Sequence, residues 1–346
     1  VQGRLTPSTL RAAPPEMSLR LADKWVWDFW LVQKGGEHHI FYLQAPRTLE
    51  QPVLRHHHAT VGHAVSADLT NWQILPDALG PGAPGSWDDL AIWTGSAIQH
   101  DGCFYMLYTG VNRDELGLIE RIGLAFSVDL KHWVKHRSNP VIEADPRWYE
   151  MLDLRRWRNQ SWRDPWLFKH PDDGAFHALI TARSPSGSPD GAGVIGHALS
   201  IDLFHWKVQP PLTQPGEFAQ VEVPQLVHLD GRYEILFSCH AEDHSRARAQ
   251  RLGTAPEGGT FAFSAAALLG PYDLPAGPIA TRRGPLGPLY AGRLVELRPE
   301  QWRFIASRGE ADAEFVGELT NPLPIRRDEQ GNIVVDCLGV PSGAGQ

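Results

Sequence analysis

Cysteine is scarce in this chain. Three thiols, Cys103, Cys239 and Cys337, stand among 346 residues, an odd number without metal-ligand spacing, which argues against a disulfide framework and a zinc site. They read as small buried side chains. Basic residues are outnumbered too, 32 Lys and Arg against 40 Asp and Glu, a formal net charge of −8. A nucleic acid or an anionic membrane surface needs a basic face that displaces counterions, so neither is expected as a partner. A neutral small molecule is the easier ligand, and nothing in the sequence asks for a cofactor or a metal. No apolar run approaches the roughly 18 residues of a membrane span, and the first twenty residues lack the apolar core of a signal peptide. The chain therefore reads as soluble. It begins at Val1 rather than Met, so the compartment stays open between cytoplasmic and secreted, as does the oligomeric state. Helical periodicity is nearly missing, apart from a turn or two around Trp148 to Trp157.

What is present is repetition. GHAVSADLTNW (62–72), GLAFSVDLKHW (123–133) and GHALSIDLFHW (196–206) share the pattern G-x-A-x-S-x-D-L-x-x-W. Their closing tryptophans, Trp72, Trp133 and Trp206, lie 61 and 73 residues apart, the scale of a four-stranded blade with its loops. Each copy reads as a strand, a tight Asp-Leu turn and a tryptophan anchoring the next strand against a neighbouring blade. A second pattern runs out of phase with the first. An apolar strand, a turn and an aromatic-rich strand recur from Trp27, Trp93, Arg163, Val221 and Leu289, as in WTGSAIQHDGCFYMLYTG, and alternation after Asp-Gly is a strong hairpin signal.

Five copies predict an all-β chain folded as a five-bladed β-propeller, with four-stranded antiparallel blades around a central channel. Residues 1–23 read as an N-terminal extension and 24–346 as the single propeller domain. The ring is expected to close by pairing of a terminal strand, from NIVVDCLG or from the stretch near Leu19.

The innermost strand of each blade lines the channel, so the residues that open these strands should converge on the axis. They are Asp28, the Trp93-Thr94 pair, Asp164, Glu222 and Tyr290, spaced 58 to 70 residues apart and read as occupying one place in successive blades. Three are carboxylates. Gathered at one channel mouth they repel each other, unless a ligand or a chemical task compensates. Glycoside hydrolysis is such a task, because it needs one ionised and one protonated carboxyl group flanking the scissile bond. Trp27, Trp30, Trp87, Trp93 and Trp162 would supply apolar platforms for sugar rings.

At these residues the chain resembles the clan of glycoside hydrolase families 32 and 68, which includes the β-fructofuranosidases (invertases) and levansucrases. WVWDFW looks like the levansucrase VWDxW nucleophile motif. HHIFYLQAP, which contains Gln44, looks like the stretch that follows the invertase nucleophile. GHAVSADLTNWQILPDAL, WTGSA, WRDPW and VEVPQL resemble further elements of the clan, in the clan's order, from about Trp25 to Tyr290. The resemblance implies a retaining glycoside hydrolase or fructosyltransferase acting on β-fructofuranosides such as sucrose. Asp28 would be the nucleophile, Glu222 the general acid and base, and Asp164 the binder of fructosyl hydroxyls. Trp27, Gln44, Trp87, Trp93, Thr94, Arg163 and Tyr290 would contact substrate. The chain departs from the invertase pattern at Trp27, Val61 and Val223, and it is too short beyond the fifth blade for the C-terminal β-sandwich usual in family 32. Alternatives are a glycosidase for another furanoside, arabinofuranosidase-like and inverting, and a non-catalytic carbohydrate-binding propeller.

Other motifs read as structural. Asp68, Asp129 and Asp202 repeat in every copy of the turn. His56 to His58 read as a solvated loop rather than a metal cluster, since adjacent strand residues alternate faces. DHSRARAQR (243–251) reads as an exposed connection, and Trp157 with Arg158 as shaping the acceptor side.

Overall fold

The computed structural model of the protein describes residues 18–281, 286, 289–311 and 314–336. Cys337 lies outside the described residues. Strands pair with their neighbours in sequence, because short turns such as Gly35-Gly36 and Asp101-Gly102 adopt positive φ and return the chain antiparallel. Blade 1 comprises β1 (Lys24–Lys34), β2 (Glu37–Pro46), β3 (Thr60–Ser66) and β4 (Gln73–Leu79). Blade 2 comprises β5 (Ala91–His100), β6 (Cys103–Val111), β7 (Glu120–Ser127) and β8 (Val134–Lys135). Blade 3 comprises β9 (Trp162–Lys169), β10 (Phe176–Arg183), β11 (Gly193–Ser200) and β12 (Trp206–Gln209). Blade 4 comprises β13 (Glu222–Leu229), β14 (Arg232–Cys239), β15 (Gly259–Ala265) and β16 (Ala280–Thr281). Blade 5 comprises β17 (Leu289–Arg298), β18 (Gln301–Ala311), β20 (Leu323–Arg327) and β21 (Ile333–Val335), with β19 (Glu314–Leu319) paired to β18. The fold is a five-bladed β-propeller.

Both segments expected to close the ring take part. Ile333–Val335 forms the outer strand of blade 5, while Leu19 makes an isolated antiparallel bridge to Leu319. No strand is lent from blade 5 to blade 1 among the described residues, so closure rests on this bridge and on packing. Each of the five seams between blades carries its own apolar cluster. Phe41 and Leu43 meet Met106 and Tyr108 between blades 1 and 2, for example, and Val26 and Phe29 meet Val295 and Ile305 between blades 1 and 5. A side chain of this kind contributes about 1.5–3 kcal/mol when fully buried.

The tryptophan repeat supplies the third strand and the turn to the fourth. In each turn the aspartate side chain accepts from two backbone N–H groups, as Asp129 does from Lys131 and His132 at 2.8 Å. Hydrogen bonds hold all three below the usual carboxylate range, chiefly from the Asn71 N–H at Asp68 and from the His132 side chain at Asp129; at Asp202 burial is the largest influence and opposes the bonds from His205. The leucine that follows, Leu69, Leu130 or Leu203, has φ between 63° and 71° and is fully buried. The tryptophans are half-buried, and Trp133 packs edge-on against Phe41 of the preceding blade. The repeat's glycine has a steric cause as well. A Cβ on Gly123 would lie 2.6 Å from the Trp87 ring.

Every innermost strand bulges where it opens. In blade 1, Asp28 falls between the paired Trp27 and Phe29, and in blade 2 Thr94 falls between Trp93 and Gly95. In blades 3, 4 and 5 two residues oppose one: Asp164-Pro165, Val223-Pro224 and Ala291-Gly292. Positive φ marks the same place, at 22° for Asp28, 56° for Asp164, 54° for Val223 and 49° for Ala291. This corrects the register read from sequence. Val223 and Ala291, not Glu222 and Tyr290, are the counterparts of Asp28 and Asp164. Glu222 and Tyr290 occupy the preceding position, that of Trp27, Trp93 and Arg163. A bulge re-aims the side chain it carries, so the one-residue slip gives Glu222 a different direction of approach from the two aspartates.

Candidate active site

Asp28, Asp164 and Glu222 nevertheless meet in one cavity of about 310 Å³ at the channel mouth, together with Trp27, Trp93, Thr94, Arg163 and Tyr290. That size suits a small sugar. Asp28 accepts from Thr94 Oγ1 at 2.8 Å through Oδ2, and its Oδ1 has no protein partner among the described residues. Burial, then the charges of Asp164 and Glu222, push its carboxyl up to about 7 against the pull of Thr94 and Arg293. Arg293 lies beneath, wholly buried, and donates to Phe29 O at 2.5 Å and Pro224 O at 3.2 Å. Burial lowers this guanidinium to about 10.

Asp164 Oδ2 accepts from Thr181 Oγ1 at 2.9 Å and from the Val223 N–H at 3.2 Å. Burial raises its carboxyl, while Arg163 opposes the rise. Glu222 is the best-paired of the three. Its Oε1 lies 2.5 Å from Arg163 Nη2, and its Oε2 accepts from the Tyr290 hydroxyl. Burial alone would raise Glu222, but Arg163, with His240 and Tyr290, more than reverses this and leaves it below the usual range. The charge of Glu222 adds to burial in pushing the Tyr290 hydroxyl far above the usual phenol.

The walls differ in part from those expected. Trp27 and Trp93 face the cavity, with His56 edge-on between them at centroid distances of 6.2 Å. The His56 carbonyl accepts from Trp93 Nε1 at 2.7 Å. His56 is thus part of the site rather than of a solvated loop, and burial holds its imidazole neutral, down to about 3. His57 and His58 are exposed. Gln44 and Trp87 do not line the cavity. Gln44 is buried in β2 and donates to Thr60 Oγ1, and Trp87 lies over Gly110, Gly123 and Tyr108 on blade 2. Trp30 and Trp162 are likewise wholly buried in the core rather than available to a sugar.

Sequence reading missed Glu120, Arg55, His240, Phe315 and Arg293. The first four line the cavity. Glu120, fully buried at the start of β7, stands 3.1 and 3.2 Å from Arg163 Nη1. Arg55 stacks 3.9 Å from the Phe315 ring centroid. Arg158, singled out beforehand, does reach the cavity, and it stacks on Trp157. The DHSRARAQR stretch forms helix α1 (Arg246–Leu252), in which buried Arg248 bonds Glu217 at 2.8 Å. It is structural.

Fold and site together define a class, the five-bladed propeller whose acidic, tryptophan-walled cavity opens at the channel mouth. The chain belongs to glycosyl hydrolases family 32. The model of that family's N-terminal domain matches residues 29–263, a span that takes in Asp164 and Glu222 and begins one residue after Asp28. Similar curated proteins include a fructan 6-exohydrolase of Triticum aestivum, 31% identical over 199 residues (56% of this chain, 30% of that protein). A sucrose-6-phosphate hydrolase of Pediococcus pentosaceus is 29% identical over 204 residues (58% and 36%). The matched segments span 16–38% of the length of such relatives. Among solved structures, an inulosucrase from Halalkalicoccus jeotgali bound to kestose superposes with a TM-score of 0.74 at 22% identity, covering 95% of this chain and 92% of that one. The Bombyx mori β-fructofuranosidase BmSUC1 gives 0.67 at 20% identity (93% and 65%). At such identities the likeness is one of fold.

Proposed function

We propose that the protein is a retaining enzyme of β-fructofuranosides such as sucrose, working through a covalent fructosyl intermediate that is passed to water or to an acceptor sugar. The observation that carries this reading is the convergence of Asp28, Asp164 and Glu222, from three blades, on a cavity walled by Trp27 and Trp93. Family membership supports it, as do relatives described as fructan hydrolases and sucrose-6-phosphate hydrolases.

In this reading Asp28 attacks the anomeric carbon through its unpartnered Oδ1. Glu222 gives a proton to the leaving oxygen and then takes one from water. Asp164, with Oδ2 tied back by Thr181 and Val223, turns its other oxygen to the ring hydroxyls. Arg163 positions Glu222, and Trp27 and Trp93 pack against the sugar. The pair Asp28 and Glu222 must hold one proton, and it must sit on Glu222. Asp28 is raised and Glu222 lowered in the free site, so the reactive arrangement is the minor tautomer of a singly protonated pair.

The test is release of glucose and fructose from sucrose, quantified separately, for the unmodified protein and Asp28→Ala. Equal release abolished by the substitution supports a hydrolase, and excess glucose supports fructosyl transfer. Release of fructose first as the β-anomer, followed by proton NMR, supports retention. Undiminished release by Asp28→Ala would overturn the nucleophile assignment, and no release from sucrose or other β-fructofuranosides would overturn the reading.

A further inference from the structure

Arg163 is surrounded by three carboxylates. Its Nη2 lies 2.5 Å from Glu222, its Nε lies 3.4 Å from Asp164, and its Nη1 is occupied by Glu120 at 3.1 and 3.2 Å. Glu120 comes from β7 of blade 2, 43 residues away in sequence, and is wholly buried. Everything that bonds its oxygens is a donor. The Trp162 N–H reaches Oε2 at 2.8 Å, Asn159 Nδ2 reaches Oε1, and Arg163 reaches both. A carboxylate that receives only donors is favoured in its ionised form, and these donors work against burial, which leaves this carboxyl above the usual range. A single guanidinium therefore divides its charge between Glu120 and the residue proposed as general acid. Arg163 alone at 2.5 Å would fix Glu222 as a carboxylate, a form that cannot protonate a leaving group.

We infer that Glu120 is a positioning residue acting through Arg163: its negative charge balances the guanidinium and so preserves the fraction of Glu222 that can carry a proton. The inference rests on the proposed function for its catalytic meaning. The charged and titratable groups facing Glu222 are Arg163, His240, Tyr290, Asp28, Asp164, Asp243, His56 and Cys239, and those facing Glu120 are Arg163 and Asp164. Glu120 is bonded to Arg163, Asn159 and Trp162 and to nothing that bonds Asp28, so its removal should act on one side of the reacting pair.

The sign follows from charge. Glu120→Gln keeps an acceptor for Arg163 but removes a negative charge, so the ionised form of Glu222 gains and its protonation moves to lower pH. The shift expected for one such neighbour is about one pH unit. In the profile of kcat/KM against pH, the acid limb should move down by that unit. The plateau should fall about tenfold, because the minor tautomer becomes tenfold rarer, and the basic limb should stay in place. Glu120→Asp, which retains the charge, should restore much of the plateau. A merely structural role would lower activity and melting temperature without moving one limb selectively.

The measurement that does not depend on turnover is carbon-13 NMR of glutamate side-chain carboxyls in the full chain, with Glu222→Gln used to assign the Glu222 signal and Glu120→Gln to assign that of Glu120. Glu222 titrating lower in Glu120→Gln supports the inference. An unmoved Glu222, or a Glu120 still protonated near pH 7, where the last proton leaves the pair of Asp28 and Glu222, overturns it. Should Glu120→Gln not fold, Glu120→Asp assigns the Glu120 signal through the glutamate carboxyl resonance that it removes. Absence of activity in the unmodified protein would sink the proposed function instead, and leave this titration to be read by itself.

Discussion

Thr94 of blade 2 reaches across the first seam and places its hydroxyl 2.8 Å from Asp28 Oδ2 of blade 1. The two residues occupy the same bulge position in adjacent blades, so the fold's repeat itself delivers a donor to the carboxylate. Thr94→Val conserves shape and removes that donor. Asp28 should then rise further above 7, and kcat/KM should fall by about tenfold, with the basic limb of its pH profile moving upward. An unchanged limb would show that the hydroxyl does not support the charged form.

In the proposed reaction Asp28 and Glu222 set the pH range of the unmodified protein. Above about 7 the last proton leaves the pair of Asp28 and Glu222, no acid remains, and kcat/KM should decline. In the acid range, once Glu222 is protonated as well, no nucleophile remains. A bell with its basic limb near 7, measured as initial rates on sucrose, is the expected profile. Full activity sustained two pH units above that limb would contradict it.

The repeated turn allows a test of stability. Leu130 combines full burial with φ of 70°. Leu130→Ala loses the packing and keeps the strain, and should cost about 2–5 kcal/mol. Leu130→Gly loses slightly more surface but regains about 1–2 kcal/mol of backbone strain. In urea titrations the glycine variant should be at least as stable as the alanine variant, the reverse of their order in ordinary strands.

Two buried histidine pairs should make the fold sensitive to acid. His39 bonds His63 at 2.9 Å in blade 1, and His177 bonds His197 at 2.8 Å in blade 3. Burial lowers all four, His63 to about 3 and His197 to about 4. Unfolded histidine takes up its proton near 6.5, so the unfolded state binds more protons below that pH. Stability should fall from about pH 6.5 down toward 4. Melting temperatures of the unmodified protein and of a His63→Gln, His197→Gln double variant should converge as the pH falls.

Much of this was legible from residues alone, because a propeller repeats its instructions. Three copies of G-x-A-x-S-x-D-L-x-x-W and five aromatic hairpins give the blades, and acids at the strand openings give the cavity. The register of the fifth blade is off by one at Tyr290, and aligning acid with acid places that of the fourth blade one residue off as well. Pro224 aligned with Pro165 would have corrected it, since each proline follows the bulge residue. Gln44 and Trp87 have only motif neighbourhood in their favour, and proximity in a motif does not say which face a strand residue presents. Glu120, Arg293 and His56 had no local signal. Their partners lie in other blades, or in the case of His56 on both sides of a seam, and only the closed ring brings them together.

The seam between blades 5 and 1 bears on how the chain becomes active as it is made. Asp28, Asp164 and Glu222 have all been synthesised before blade 5 begins at Leu289, yet blade 5 is the wedge that spans the gap between the blades of Glu222 and Asp28. Tyr290, which holds Glu222, and Arg293, which lies beneath Asp28, both arrive with it. A nascent chain that displays all three acids is therefore four-fifths of a ring with an unfinished cavity, and the final blade closes the circle and completes the cavity together.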